Sequence, residues 1–310
     1  MGSMMTHLRT KLVTLASFLA VFAVLAVNIQ AQKAYVTEEF DVSDDVRVDV
    51  RTSGGFIEVY GKNTDEVKVE MIVRKRGRLM DRGDVDLDDW DIDISRTGNT
   101  VTASAKRRGR SWGNNNVSIS FKVYTPIRAI TDLNTSGGSI TLENLMGDQK
   151  ARTSGGSLSA ASIDGDLDLK TSGGSITIED VQGFADVNTS GGRIRAENVT
   201  GGIKARTSGG SITLEEVNGN VEASTSGGSI NAEIPEPDDF IELKTSGGSI
   251  TITVPKDQGY EVDLDGNRVR ADLKNFSGKY EKDEIKGTLN GGGTRIFART
   301  SGGSVTLRYL

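Results

Sequence analysis

Hydrophobic and polar residues alternate with a period of two along most of this chain. In Ile212-Thr213-Leu214-Glu215, and again in Val221-Glu222-Ala223, every second residue is apolar. Alternation of this kind puts Ile212 and Leu214 on one face of a strand and their neighbours on the other. Asn218-Gly219 separates the two runs as a turn, and Gly227-Gly228 closes the unit. One unit therefore predicts strand, turn, strand, turn. Glycine is expected at the second corner because it adopts positive φ without a Cβ clash. Nothing here has helical periodicity.

The unit repeats. Thr-Ser-Gly-Gly begins at Thr135, Thr153, Thr171, Thr189, Thr207 and Thr225, each start 18 residues after the last. Further copies begin at Thr52, Thr245 and Thr300. The corner glycines are Gly137, Gly138, Gly155, Gly156, Gly173, Gly174, Gly191, Gly192, Gly209, Gly210, Gly227, Gly228, Gly247, Gly248, Gly302 and Gly303. Aliphatic residues align in phase with them. One column runs Ile140, Leu158, Ile176, Ile194, Ile212, Ile230, Ile250; a second runs Leu142, Ala160, Ile178, Ala196, Leu214, Ala232, Ile252. A third runs Leu145, Ile163, Val181, Val199, Val217. A fixed period with aliphatic columns predicts an all-β fold: a single-stranded parallel β-solenoid, β-helix-like, with 18-residue rungs and irregular β caps.

The flanks are read as those caps, because an open stack leaves unpaired strand edges to be covered. Residues 32–130 form the N-terminal β cap and first strands, 131–254 the regular repeats, and 255–310 a C-terminal section and cap. Most aromatic residues lie in the flanks: Phe56, Tyr60, Trp90, Trp112, Phe121, Tyr124, Phe240, Tyr260, Phe276, Tyr280 and Phe297. Large rings are expected to fill the wider cap interiors. Before the caps, residues 1–31 read as a signal peptide. Arg9 and Lys11 precede an apolar run from Leu12 to Val27, and Ala31 suits cleavage, although Ile29 is larger than the usual residue there. Retention as a membrane anchor is the alternative. No later stretch approaches the ~20 apolar residues a membrane span needs.

Composition then removes whole classes of chemistry. There is no cysteine, and the only histidine is His7, inside the presumed signal. Disulfides, thiolate metal sites, a lipidated cysteine, a histidine base and a Ser-His-Asp triad are all excluded from the exported part. No cofactor is expected. The formal charge is −6, and the signal segment carries cations only, so the remainder is more acidic still. That balance disfavours nucleic acid as a partner.

Four features remain as candidate sites. The stacked Thr column, with Ser139, Ser157, Ser175, Ser211 and Ser229, offers hydroxyls to a glycan or an ice lattice. Turn capping and cross-strand hydroxyl ladders explain it more simply. Arg193 and Arg195 interrupt these columns. Glu143, Glu179, Glu197, Glu215 and Glu233 form an acidic column that calcium could bridge or water could solvate, with Arg152, Lys170 and Arg206 expected nearby to relieve repulsion. In the acidic run from Asp84 to Asp93, alternation places Asp84, Asp86 and Asp88 on one strand face, where calcium could bind although the glycine and terminal glutamate of an EF-hand loop are missing. A solvent-facing edge strand whose charges block edge pairing is the preferred reading. The most site-like stretch is Lys106-Arg107-Arg108-Gly109-Arg110-Ser111-Trp112, followed by Gly113 and three asparagines. Arg and Trp commonly anchor anionic or glycan ligands. Arg107, Arg108, Arg110 and Trp112 are therefore the ligand-binding candidates, joined by a basic patch of Arg74, Lys75, Arg76 and Arg78. A solvated loop is the plainer reading of the same residues.

The repeat also resembles a known family. Val48-Asp49-Val50-Arg51 before Thr52-Ser53-Gly54-Gly55, the Thr-Ser-Gly-Gly-Ser-Ile units, and Gly287-Thr288-Leu289-Asn290-Gly291-Gly292-Gly293 before Thr300-Ser301-Gly302-Gly303-Ser304-Val305 are similar to the bacterial DUF4097 family of "putative adhesin" proteins. The resemblance spans roughly residues 40–310. It implies export or association with the envelope and carries no catalytic motif over. The expected function is non-enzymatic binding or scaffolding at the bacterial cell envelope or surface, through an envelope polymer, glycan or surface protein. The location implied is periplasmic, cell-surface or secreted, with no stable membrane span after signal cleavage. A regulatory component of envelope stress acting through a protein partner is one alternative. A polysaccharide-active enzyme is another, although no cleft-forming insertion breaks the regular repeats.

Overall fold

Alternation becomes sheet throughout. The computed structural model describes residues 34–109 and 116–310, and among them there are 27 strands and no helix. Residues 1–31, which the sequence reads as a signal peptide, and Arg110 and Trp112 lie outside the described residues.

Most strands pair in parallel and fall into two ladders that enclose one apolar core. In the first ladder Ile140 stands opposite Leu158, Leu158 opposite Ile176, Ile176 opposite Ile194 and Ile194 opposite Ile212. Ile212, Ile230, Ile250 and Val305 continue the column. The second ladder aligns Gln149, Leu167, Ala185, Ile203 and Val221 in the same way. All these aliphatic residues are buried. Strand Ile212–Thr225 belongs to both ladders and joins them at one side.

The third aliphatic column is also buried, through a device that alternation alone does not reveal. Leu142 and Leu145 both point inward, three positions apart. Between them Asn144 takes φ +58°, and the same left-handed kink recurs at Ser162, Asp180, Asn198 and Glu216. Each kinked residue drops out of the register, so Glu143 pairs with Ala161 and Leu145 with Ile163. The kink turns the strand so that the next side chain re-enters the core. Asn and Asp tolerate this region better than most residues.

Sequence order and spatial order part company at both ends. Strands Val46–Thr52 and Ile57–Lys62 lie between the later layer Ala129–Thr135/Ile140–Met146 and the layer Thr100–Arg107/Val117–Pro126. At the other end Thr294–Thr300 and Ser304–Tyr309 are held between Pro237–Thr245/Ile250–Val254 and the earlier Tyr260–Asp265/Arg268–Ala271. The inserted segments thus wrap outside the stack and finish it with antiparallel strands. Glu66–Lys75 runs against Val117–Pro126, and Trp90–Thr97 against Thr100–Arg107. Tyr260–Asp265 and Phe276–Tyr280 both run against Glu284–Leu289.

Two sequence expectations are corrected here. Among the described aromatic residues of the flanks, only Trp90, Phe121 and Tyr260 are buried. Phe56, Tyr60, Tyr124, Phe240, Phe276 and Phe297 are half-buried and Tyr280 is exposed. The rings therefore mostly decorate outer faces instead of filling caps. The acidic run is not a strand until Trp90. Asp81–Asp89 is a loop, closed by the Asp88 amide donating to Asp86 Oδ1 at 2.8 Å and the Trp90 amide to the Leu87 carbonyl at 2.8 Å. The Asp86 side chain satisfies a nearby backbone amide, which favours a turn over an extended strand.

Candidate functional surfaces

The tetrads come first, because they recur most. Thr52, Thr135, Thr153, Thr171, Thr189, Thr207, Thr225, Thr245 and Thr300 are all buried. From Thr135 onward each hydroxyl donates to the carbonyl of the second tetrad glycine in the layer before it. Thr135 reaches Gly55 at 2.8 Å and Thr300 reaches Gly248 at 2.6 Å, although the partners are 80 and 52 positions apart in sequence. The column is therefore continuous in space where it is interrupted in sequence. It is a rivet between layers and presents no threonine hydroxyl array to a ligand.

The glycines are explained differently from the sequence expectation. None of the tetrad glycines has positive φ; the left-handed glycines sit at the opposite turn, at Gly147, Gly165, Gly183, Gly201 and Gly219. The second tetrad glycine is required by close approach. A Cβ on Gly174 would fall on the Gly156 carbonyl, whereas one on Gly173 would meet its nearest neighbour at an ordinary 3.5 Å.

Charge columns also separate. The Glu143–Glu179–Glu197–Glu215 column belongs to the first ladder, and Arg152, Lys170 and Arg206 to the second. The expected relief between them does not occur. Arg195, the interruption in the Thr column, reaches Glu215 at 2.6 Å and Glu197 at 2.9 Å. On the second ladder Arg152 pairs with Asp168 at 2.7 Å, and Arg206 with Glu222. Burial pushes the Glu222 carboxyl up, but hydrogen bonds from Arg206 and Lys204 outweigh it and hold the pKa below the usual value. Among the described residues no group of three or more His, Cys, Asp or Glu side chains is arranged to hold a metal ion.

The basic corner is partly assembled. Arg107 ends strand Thr100–Arg107, and its amide donates to Ser53 Oγ of the first tetrad at 3.4 Å. Its Nε is buried without a hydrogen-bond partner among the described residues. Exposed Arg108 lies 3.3 Å from Asp91, and its amide donates to the Asp89 carbonyl at 2.7 Å. Across the loop, the Arg76 amide donates to the Asn116 carbonyl at 2.8 Å. That bond places the hairpin carrying Arg74, Lys75, Arg76 and Arg78 at the exit of the same loop whose entry holds Arg107 and Arg108. Arg74 also lies 5.5 Å over the Phe56 ring.

Two surfaces were not singled out from sequence. On the outer face of the first ladder, Tyr60 and Tyr124 stack at 5.9 Å, and Lys122 sits 5.1 Å and 5.4 Å from their centroids. Burial, then the neighbouring Glu58, raises the Tyr60 pKa. On the outer face of the second ladder, four adjacent strands form a groove of about 740 Å³ that contains Phe240 and Phe297. Lys244 lies 5.1 Å and Arg299 5.5 Å from the Phe297 ring. Parity was the available signal. In Phe240-Ile241-Glu242-Leu243 and Arg295-Ile296-Phe297-Ala298 the aliphatic residues point inward, so both rings must point out.

A repeat of this kind, with its invariant corner chemistry, defines a class of layered all-β proteins. The family model described as Toastrack DUF4097 matches residues 46–308, and the chain belongs to that family. It is similar to a solved putative adhesin from Bacteroides fragilis NCTC 9343, at 15% identity over 89% of this chain and 96% of that one, with a TM-score of 0.40. A putative adhesin from Parabacteroides distasonis ATCC 8503 matches at 17% identity over 88% and 96%, with a TM-score of 0.41. A putative cell adhesion protein from Clostridium sporogenes ATCC 15579 matches at 9% identity over 90% and 100%, with a TM-score of 0.24. No curated protein matches the chain.

Proposed function

We propose that this chain is an exported, non-enzymatic protein that binds or scaffolds at the bacterial cell envelope or surface, in the manner of an adhesin. Its core is a single-stranded parallel β-solenoid with 18-residue rungs, and its ligand is an anionic envelope polymer taken at the basic corner. The observation that carries this reading is the Arg76–Asn116 backbone bond, which holds the Arg74–Arg78 hairpin at the exit of the loop that Arg107 and Arg108 enter. Clustered arginines recognise phosphate and carboxylate with charge-assisted hydrogen bonds. Arg108 is exposed, and contacts between exposed cations and a polyanion are screened by salt, so binding is expected to weaken as salt rises.

Pull-down with teichoic acid and with polygalacturonate tests the proposal. Changing Arg107, Arg108, Arg110 and Trp112 together to Ala abolishes capture while the circular dichroism spectrum and the melting temperature stay close to those of the parent. Unchanged capture by a folded quadruple variant sinks the idea.

A further inference from the structure

We propose that the groove around Phe240 and Phe297 is a second binding site, for an uncharged oligosaccharide chain. It lies at the opposite end of the stack from the basic corner and does not depend on that reading. Its volume of about 740 Å³ falls within the range of small-molecule sites.

Three observations select the ligand class. First, the groove is electrically balanced. Its carboxylates are Glu242, Glu261 and Asp263, and its cations Lys244, Lys286 and Arg295. Lys286 is 2.6 Å from Asp263, and Lys244 is paired with Glu242. A polyanion would meet three carboxylates, and a purely apolar segment would strip water from six charged groups. Second, two half-buried phenylalanine rings share this face with groups that donate and accept hydrogen bonds. A sugar ring has the matching character: an apolar C–H face and a rim of hydroxyls that both donate and accept. Third, Glu261 and Arg295 stand opposite each other in register, yet neither has an ion-pair partner among the described residues. Both are free to bond ligand hydroxyls.

The groove also continues. A neighbouring cavity of about 630 Å³ shares Phe240, Glu261 and Arg295 with it, so these three residues mark the junction of one longer track. A track of two joined cavities suits several linked rings better than one.

Titration calorimetry of the full exported chain with cellohexaose, chitohexaose, xylohexaose and maltohexaose, each beside its disaccharide, tests this. At least one hexamer binds, at least about tenfold more tightly than its disaccharide. Phe297→Ala weakens the hexamer about tenfold, as truncation of an aromatic anchor that a ligand covers does. Phe240→Ala at the junction lowers hexamer affinity while leaving the disaccharide nearly unchanged. Arg295→Gln on the exposed face repeats the loss without touching an apolar contact, should Phe297→Ala fail to fold. The quadruple corner variant binds the hexamer as the parent does. Absence of binding by all four hexamers at millimolar concentration overturns the proposal. So does Phe297-dependent binding of polygalacturonate in place of the neutral chains.

Discussion

The Thr189 hydroxyl donates to the Gly174 carbonyl at 2.7 Å and accepts the Gly192 amide at 3.3 Å. One buried side chain thus ties its own corner and the corner beneath it. Thr189→Val keeps the shape and removes both bonds, leaving the half-buried Gly174 carbonyl without this partner; it costs about 1–2 kcal/mol in urea unfolding. Thr189→Ser retains the oxygen and is expected to lose clearly less.

The two glycines of a tetrad are not equivalent. Gly173→Ala has 3.5 Å of clearance and falls within about 1 kcal/mol of the parent, with a gain expected from the stiffer unfolded chain. Gly174→Ala drives a methyl group into the Gly156 carbonyl and costs about 3 kcal/mol or more. Thermal melts of the pair decide the matter; similar losses for both would refute the close-approach explanation.

Glu216 occupies the left-handed column at φ +52°, where Asn144, Asp180 and Asn198 stand in other layers. Glutamate has no short polar group to offset that conformation. Glu216→Asn is expected to stabilise by about 0.5–1 kcal/mol, read as a higher urea midpoint at unchanged slope.

How much of this was legible follows from particular residues. Ile212 and Leu214 announced their face by alternation, and the 18-residue phase fixed which residues share a column. The inward turn of Val217 was visible as an aliphatic column, but its cause, the kink at Glu216, breaks alternation and reads as a stray polar residue. Spatial order at the ends was hidden. Likeness between units does not say that Val50 lies opposite Leu133, or Val262 opposite Ile296. The Phe297 site failed for another reason: parity exposed the ring, yet its neighbour Lys286 arrives from a separate antiparallel strand. Half of the basic corner, Arg107 and Arg108, is seen in place, and the tip with Arg110 and Trp112 is outside the described residues.

Tyr260 supplies a pH test. Burial, with Tyr309 adding to it, pushes its pKa up to about 12, and its hydroxyl donates to the Pro255 carbonyl at 2.7 Å. The folded state holds this proton more tightly than the unfolded chain, whose tyrosines titrate near the ordinary value of 10. The contribution is present below about pH 10 and is lost as pH climbs towards 12. Tyr260→Phe is less stable than the parent at neutral pH, and its stability falls less between those limits. Parallel alkaline limbs for the two proteins would contradict the assignment.

The unbroken tetrad column makes the protein a ruler. Nine tetrads stand one layer apart, and the loops that interrupt them in sequence are folded away at the two ends. At ~4.8 Å per layer, the eight intervals span about 38 Å. Removing eighteen residues from the interior would bring the basic corner and the aromatic groove one graduation closer without altering either. Reach, in such a molecule, is inherited as a count of copies.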